Sequence, residues 1–247
     1  MCKVCLQDFS LSYQTPDMEV TAIAGVNLNI YEGEFISIIG PSGCGKSTLL
    51  SALSGLNKDG EGLIRIDGNV GYMPQQDCLF PWRTVMDNVL LGPELHGRYS
   101  PSDKAYATSL LEKYGLKDSA SKYPRELSGG MRQRTALIRT LVYGADILLL
   151  DEAFSALDYQ TRLKVVDDIY SIIRQEKKTA LLVTHDISEA ISVSDRVCVM
   201  RGQPGTITTN ISINYPKDMS PSDRRQSPDF QQYFHLLKEE LQYEQRN

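Results

Sequence analysis

No apolar run in this 247-residue chain approaches the roughly 20 residues that a membrane-spanning helix needs. The best, Ile147-Leu148-Leu149-Leu150, stops at Asp151. The opening residues Met1-Cys2-Lys3-Val4-Cys5 lack the apolar core of a secretory signal. The expectation is a chain that stays in the cytoplasm and borrows any membrane role from partner subunits. Basic charge is scarce: 26 Lys and Arg against 31 Asp and Glu give a formal net charge of −5. This argues against a general nucleic-acid surface, which needs clustered cations. Cysteine is sparse, and its number, five, is odd. Scattered as they are, these cysteines suit free thiols in a reducing compartment. Cys2 and Cys5 have the spacing of half a zinc site, but no second pair follows, and both fall on the first predicted strand. Internal repeats and low-complexity segments are absent, leaving one large domain or a core with a small appendage.

The stretch Gly40-Pro41-Ser42-Gly43-Cys44-Gly45-Lys46-Ser47-Thr48 follows the apolar run 35–39 and precedes the helix-like Leu49-Leu50-Ser51-Ala52-Leu53. This is a G-x-x-x-x-G-K-[ST] loop in its required strand, loop and helix context. Glycines let backbone N–H groups turn inward on a phosphate, and the helix start adds partial positive charge. Lys46 is predicted to reach the β/γ-phosphates and the Ser47 hydroxyl to take a place on Mg²⁺. Cys44, at the helix start, is expected to be a reactive thiol.

Alternation predicts antiparallel strands over 4–9 and 24–30, with Tyr13 in a polar loop between them. Gly60-Glu61-Gly62 reads as a break, 63–66 as a strand, Asp67-Gly68 as a hairpin-type turn, and 70–73 as a further strand leading to Gln75. From Thr84 the pattern becomes helical. Thr84 with Asp87 makes an imperfect capping box, Ser100 starts a second helix that Gly115 stops, and Ser128-Gly129-Gly130 opens a third. The buried-strand pattern 147–150 ends in Asp151 and Glu152. A helix over 159–177 and a strand over 180–184, ending at His185, complete a crossover pattern for a parallel sheet. Two last strands lie near 197–200 and 206–213, and Phe230, Phe234, Leu237 and Leu241 mark an amphipathic C-terminal helix. Asp151 stands where a second carboxylate near Mg²⁺ belongs, and Glu152 is a candidate general base.

Leu127-Ser128-Gly129-Gly130-Met131-Arg132-Gln133-Arg134 resembles the signature motif of the ATP-binding subunits of ABC transporters. The resemblance runs from about Val4 to Ile213. It implies an α/β P-loop NTPase with a mixed central sheet, an antiparallel β subdomain and a helical subdomain near 84–142. The ATPase domain would cover 1–215 and a helical extension 216–247. It further implies Tyr13 as the adenine-stacking aromatic, Gln75 as a Mg²⁺ ligand that also orients water, and Ser155-Ala156-Leu157-Asp158 as the loop after the base. His185 would be the γ-phosphate contact. Because Ser128-Gly129-Gly130 is a second anion-binding helix start, the resemblance implies a head-to-tail dimer in which Ser128 of one copy meets the ATP held by Lys46 of the other.

The segment Leu79-Phe80-Pro81-Trp82, with Asn88-Val89 after it, resembles importer subunits for nitrate, sulfonates, taurine and related small molecules such as pyrimidine vitamin precursors. Its apolar residues are expected either to form a groove for a helix of a transmembrane permease subunit or to pack inside a helical subdomain. An extracytoplasmic solute-binding protein would then be an indirect partner, and the chain would sit at the cytoplasmic face of the membrane. Exporter-associated and non-transport ATPases of the same family are the alternatives, although the short span from Lys46 to Ser128 leaves no room for the coiled coil of DNA-repair relatives. Ala153 departs from the proline that most relatives carry after the base, with a small effect expected.

Overall fold

The computed structural model describes residues 1–242 apart from 15, 17 and 98. At its centre β3 (Phe35–Ile39), β6 (Ile147–Asp151) and β7 (Thr179–Thr184) are buried along their whole length. With β5 (Val70–Met73), β8 (Arg196–Arg201) and β9 (Thr206–Ser212) they form a six-stranded sheet in the order β5-β6-β7-β3-β8-β9. All neighbours pair in parallel except β9, which runs antiparallel to β8. A Leu-rich run such as 148–150 has some preference for helix. That preference is only a few tenths of a kcal/mol per residue, against about 1.5–3 kcal/mol for burying each side chain, so the sheet wins.

Side chains alternate between the two faces of these strands. Ile36, Ile38, Ile147, Leu149, Leu181 and Val183 pack with α1 (Lys46–Leu53) and a second sheet. That sheet is antiparallel, in the order β2-β1-β4, from β1 (Cys2–Gln14), β2 (Glu19–Tyr31) and β4 (Gly60–Ile66). Phe35, Leu148, Leu150, Ala180 and Leu182 face the other way, onto α5 (Gly129–Val142) and α6 (Tyr159–Gln175). The same core takes in α2 (Val85–Val89) and α4 (Pro101–Lys113), with α3 (Leu91–Leu95) between them. Thr84 and Ser100 close full capping boxes with Asp87 and Asp103, so the shorter Asp side chain suffices where Glu is usual.

Several sequence expectations change. Tyr13 lies on β1, paired with Val20, because the strands run to 13 residues each and take in the polar stretch expected to be a loop. Gly60-Glu61-Gly62 belongs to β4. A Cβ on Gly62 would meet the Asp8 carbonyl at 2.3 Å, and the register shifts between Gln7 and Ser10, so the glycine serves a bulge rather than a break. Asp67-Gly68 joins no hairpin: β4 and β5 belong to different sheets, and the turn carries the chain from one to the other. Two short helices, α7 (Ile187–Val193) and α8 (Pro221–Gln226), carry too little periodicity to be read from sequence. Cys5 is buried and Cys2 half-exposed, with the Cys2 thiol turned to the Val4 carbonyl.

The C-terminal helix α9 (Pro228–Gln242) buries Phe230 and Leu237 against Ile191, Val197 and Val199. Arg224 on α8 is fully buried and donates to the Ser194 carbonyl, the Pro216 carbonyl and the Tyr170 hydroxyl. Residues 243–247 of the expected extension lie outside the described residues.

Candidate active site

The loop 40–45 joins β3 to α1 and is tightly seated against backbone and side chains of its neighbours. A Cβ on Gly40 would lie 2.2 Å from the Met200 carbonyl, and one on Gly45 would lie 2.4 Å from Ile23. From the opposite side a Cβ on Gly205 would lie 1.8 Å from the Cys44 carbonyl. Gly43 and Gly45 take φ of +83° and +93°, which turns the loop back on itself at little steric cost. Pro41, Ser42 and Gly43 form its exposed rim. Lys46 is buried, with its ammonium donating to the Gly40 and Pro41 carbonyls at 2.8 Å each. No carboxylate pairs with it among the described residues. Its ammonium also reaches the Cys44 Sγ at 3.8 Å; a buried cation held by two carbonyls and a thiol fits a polyanion such as a triphosphate. The Cys44 thiol is buried and its pKa raised by that burial, which overrides the charge of Lys46. The expected reactivity of Cys44 is therefore corrected: it packs under the loop.

At the mouth of the loop the Ser47 hydroxyl donates to Asp151 Oδ1 at 3.2 Å. The Tyr72 hydroxyl donates to Asp151 Oδ2 at 3.0 Å. Burial, then the neighbouring carboxylate, raises the Tyr72 phenol well above its ordinary value and keeps it a donor. Ser47 and Asp151 offer hard oxygen atoms side by side, a donor set that suits Mg²⁺. Glu152 follows at φ +44°, a region that costs a non-glycine residue roughly 1–3 kcal/mol. Its N–H is held by the Val183 carbonyl at 2.8 Å. The twist places Glu152 Oε1 3.3 Å from His185 Nδ1, while Gln75 Nε2 lies 3.5 Å from Oε2 and 3.1 Å from Ser155 Oγ. The ends of β5, β6 and β7 thus bring Gln75, Asp151, Glu152 and His185 together, at the carboxyl edge of the parallel strands where ligands of open α/β sheets bind.

Tyr13 is exposed, and its hydroxyl reaches Thr48 Oγ1 at 3.5 Å, so an aromatic ring stands beside the loop. Ser128 caps α5 by accepting from the Met131 N–H at 3.3 Å. Gly129 is half-buried and Gly130 buried, and a Cβ on Gly130 would lie 2.7 Å from Val165 on α6. Among the described residues no hydrogen bond joins Ser128, Gly129 or Gly130 to the loop 40–48. The helix starts at Lys46 and at Ser128 are therefore not hydrogen-bonded to each other among the described residues.

Leu79 is buried, which removes it from the expected groove. Trp82 is 70% exposed and stacks on Phe80 with ring centroids 5.0 Å apart. The Gln75 loop is braced from α5: Arg132 pairs with Asp77 at 2.9 Å, and Arg139 donates to the Asp77 and Cys78 carbonyls. Tyr72, Arg132 and Arg139 were not anticipated as site residues. Of these only Tyr72 has a signal in the chain order, since its strand leads into Gln75.

A family model described as "ABC transporter" matches residues 23–155. An uncharacterised ABC transporter ATP-binding protein of Bacillus subtilis, YtlC, is 46% identical over 93% of this chain and 93% of its own. The aliphatic sulfonates import ATP-binding protein SsuB 1 of Pseudomonas syringae is 43% identical over 83% of this chain and 84% of its own. Among solved structures, the ATP-binding cassette MJ0796, a dimer in a post-hydrolysis state bound to ADP and Pi, superposes with a TM-score of 0.72 at 31% identity, covering 86% of this chain and 100% of that one. With its P-loop, mixed sheet, antiparallel sheet and helical set, this chain belongs to the ABC transporter family and is one of its ATP-binding ATPases.

Proposed function

We propose that the chain drives import of a small solute by ATP-timed closure of a dimer, and that Glu152 is the base that activates water. The supporting observation is the position of Glu152: it touches His185 and Gln75 and directly follows Asp151, which accepts from Ser47. Lys46, with the N–H groups of residues 40–48, would bind the β- and γ-phosphates, and Tyr13 would stack on adenine. Ser47, Asp151 and Gln75 would hold Mg²⁺, which would supply charge neutralisation on the phosphates. Glu152 takes a proton from the attacking water, Gln75 orients that water, and His185 contacts the γ-phosphate. Little covalent work is required of the protein, so positioning of charge carries the rate.

Ser128, Gly129 and Gly130 of a second copy would complete the site from the far side of the phosphates. ATP then binds the closed dimer better than the open one, and loss of the γ-phosphate releases it. In this reading residues 84–142 act as a helical subdomain of an ATPase domain covering 1–215, with 216–247 as an extension. Exposed Trp82, stacked on the half-buried Phe80, docks a transmembrane permease at the cytoplasmic face, fed by an extracytoplasmic solute-binding protein. No described helix is long and apolar enough to cross a membrane, which supports partner subunits as the membrane component. The sulfonate-import relative supports a small organic oxyanion as the solute. Co-expression with the permease subunits encoded beside it tests the docking role. Trp82→Ala is expected to lose co-purification and uptake while keeping ATP hydrolysis; retained uptake would contradict it.

A further inference from the structure

One guanidinium stands between the segment that follows Glu152 and the segment that follows His185. Arg162, on the first turn of α6, donates through Nη2 to the Leu157 carbonyl at 2.9 Å and reaches the Ser155 carbonyl at 3.5 Å. The same group faces Asp186, Nη1 to Oδ2 at 3.9 Å, and Glu189, Nε to Oε1 at 3.9 Å. Its Nε is buried and has no hydrogen-bond partner. A small movement of either segment would close that bond or open it further.

Each side of this junction leads to one member of the Glu152–His185 pair. Ser155 Oγ donates to the Glu152 carbonyl at 2.9 Å and accepts from Gln75, so the loop under Arg162 is the platform of Glu152. On the other side Glu189, a buried carboxylate, accepts from Thr184 Oγ1 at 2.8 Å, and Thr184 Oγ1 accepts from the Asp186 N–H at 3.0 Å. Thr184 and Asp186 flank His185. The His185 side chain is 58% exposed and, among the described residues, pairs with Glu152 alone. Its place is therefore set by the backbone on either side.

We infer that Arg162, with Glu189 as its counter-charge, is the positioning residue that fixes the separation of Glu152 and His185. It touches neither the phosphates nor the water. This rests on the roles proposed above for Glu152 and His185. Loss of the guanidinium would let the two loops drift, and displacement by an ångström at a reacting centre costs rate far more than binding.

The test is steady-state ATP hydrolysis with thermal melts for wild type, Glu152→Gln, Arg162→Met, Arg162→Lys, Glu189→Gln and the double variant Arg162→Met with Glu189→Gln. Arg162→Met is expected to lower kcat about 10- to 100-fold, with KM for ATP held within about twofold. Arg162→Lys should recover part of the rate, and the double variant should fall no further than Arg162→Met, because residues acting as one unit do not add. An unchanged kcat in folded Arg162→Met, a rise in KM alone, or fully additive losses would overturn the inference. Should Arg162→Met fail to fold, unchanged kcat in both Arg162→Lys and Glu189→Gln overturns it equally. If Glu152→Gln turns over like wild type, the parent assignment of the base fails and this inference falls with it. A dead Glu152→Gln beside a fully active Arg162→Met removes the inference alone.

Discussion

Gly205 approaches Cys44 more closely than any side chain permits, and the phosphate loop is shaped from outside as much as by its own sequence. The turn that holds Gly205 also bonds to β2, through the Ala24 N–H to its carbonyl at 3.0 Å and its own N–H to the Ala22 carbonyl at 2.9 Å. Gly205→Ala must push backbone against backbone, since the new Cβ would lie 1.8 Å from the Cys44 carbonyl. Overpacking of this kind costs about 1–3 kcal/mol, and here the displaced element is the one proposed to hold the phosphates. The variant should melt earlier and bind ATP more weakly, measured by thermal unfolding and nucleotide titration; wild-type binding would contradict the socket. At this scale the chain was legible as a set of proposed roles wherever chemistry dictates residue type, as for Lys46, Ser47, Asp151 and Glu152. It was not legible at Gly205, Tyr72 or Arg162, because each acts across a strand pairing or a loop contact that sequence order does not display.

Whole elements were read best where burial is two-sided and worst where the strand departs from ideal pairing. The run 147–150 announced β6, whereas the bulge at Gly62 looked like the end of a strand. The C-terminal helix was visible from its apolar stripe, but its seat was not. α9 lies on β8 and α7, and its Glu240 accepts from Arg201 at 2.5 Å and from Thr209 at 2.8 Å, on the two strands flanking the turn that carries Gly205. Leu237 is fully buried there. Leu237→Ala should cost about 2–5 kcal/mol by transfer and cavity terms. Measured by denaturant unfolding, a loss below about 1 kcal/mol would mean that the site collapses freely and the helix is loosely seated. Trp82 belongs to the same scale. Its exposure next to a buried Leu79 divides one apolar segment into an anchor in the core and a ring offered outward.

The molecule as a whole presents two helix starts, at Lys46 and at Ser128, that no hydrogen bond joins among the described residues, and this separation supports the proposed second copy. Lys46 stands in one end without a carboxylate, and Ser128 caps the other on a different helix. This division of labour between two copies rests on the resemblance of the 127–134 motif to the family's signature, not on spacing alone. The convergence of β5, β6 and β7, which gathers Gln75, Glu152 and His185, came from the sheet order. The proposed role of Glu152 is to activate water inside a site closed by ATP. Phosphate release by Glu152→Gln in the presence of ATP and Mg²⁺, with bound nucleotide measured in the same sample, tests it most directly. The variant is expected to retain ATP and to release phosphate at least about 100-fold more slowly than wild type; release at the wild-type rate would remove Glu152 from the role of base.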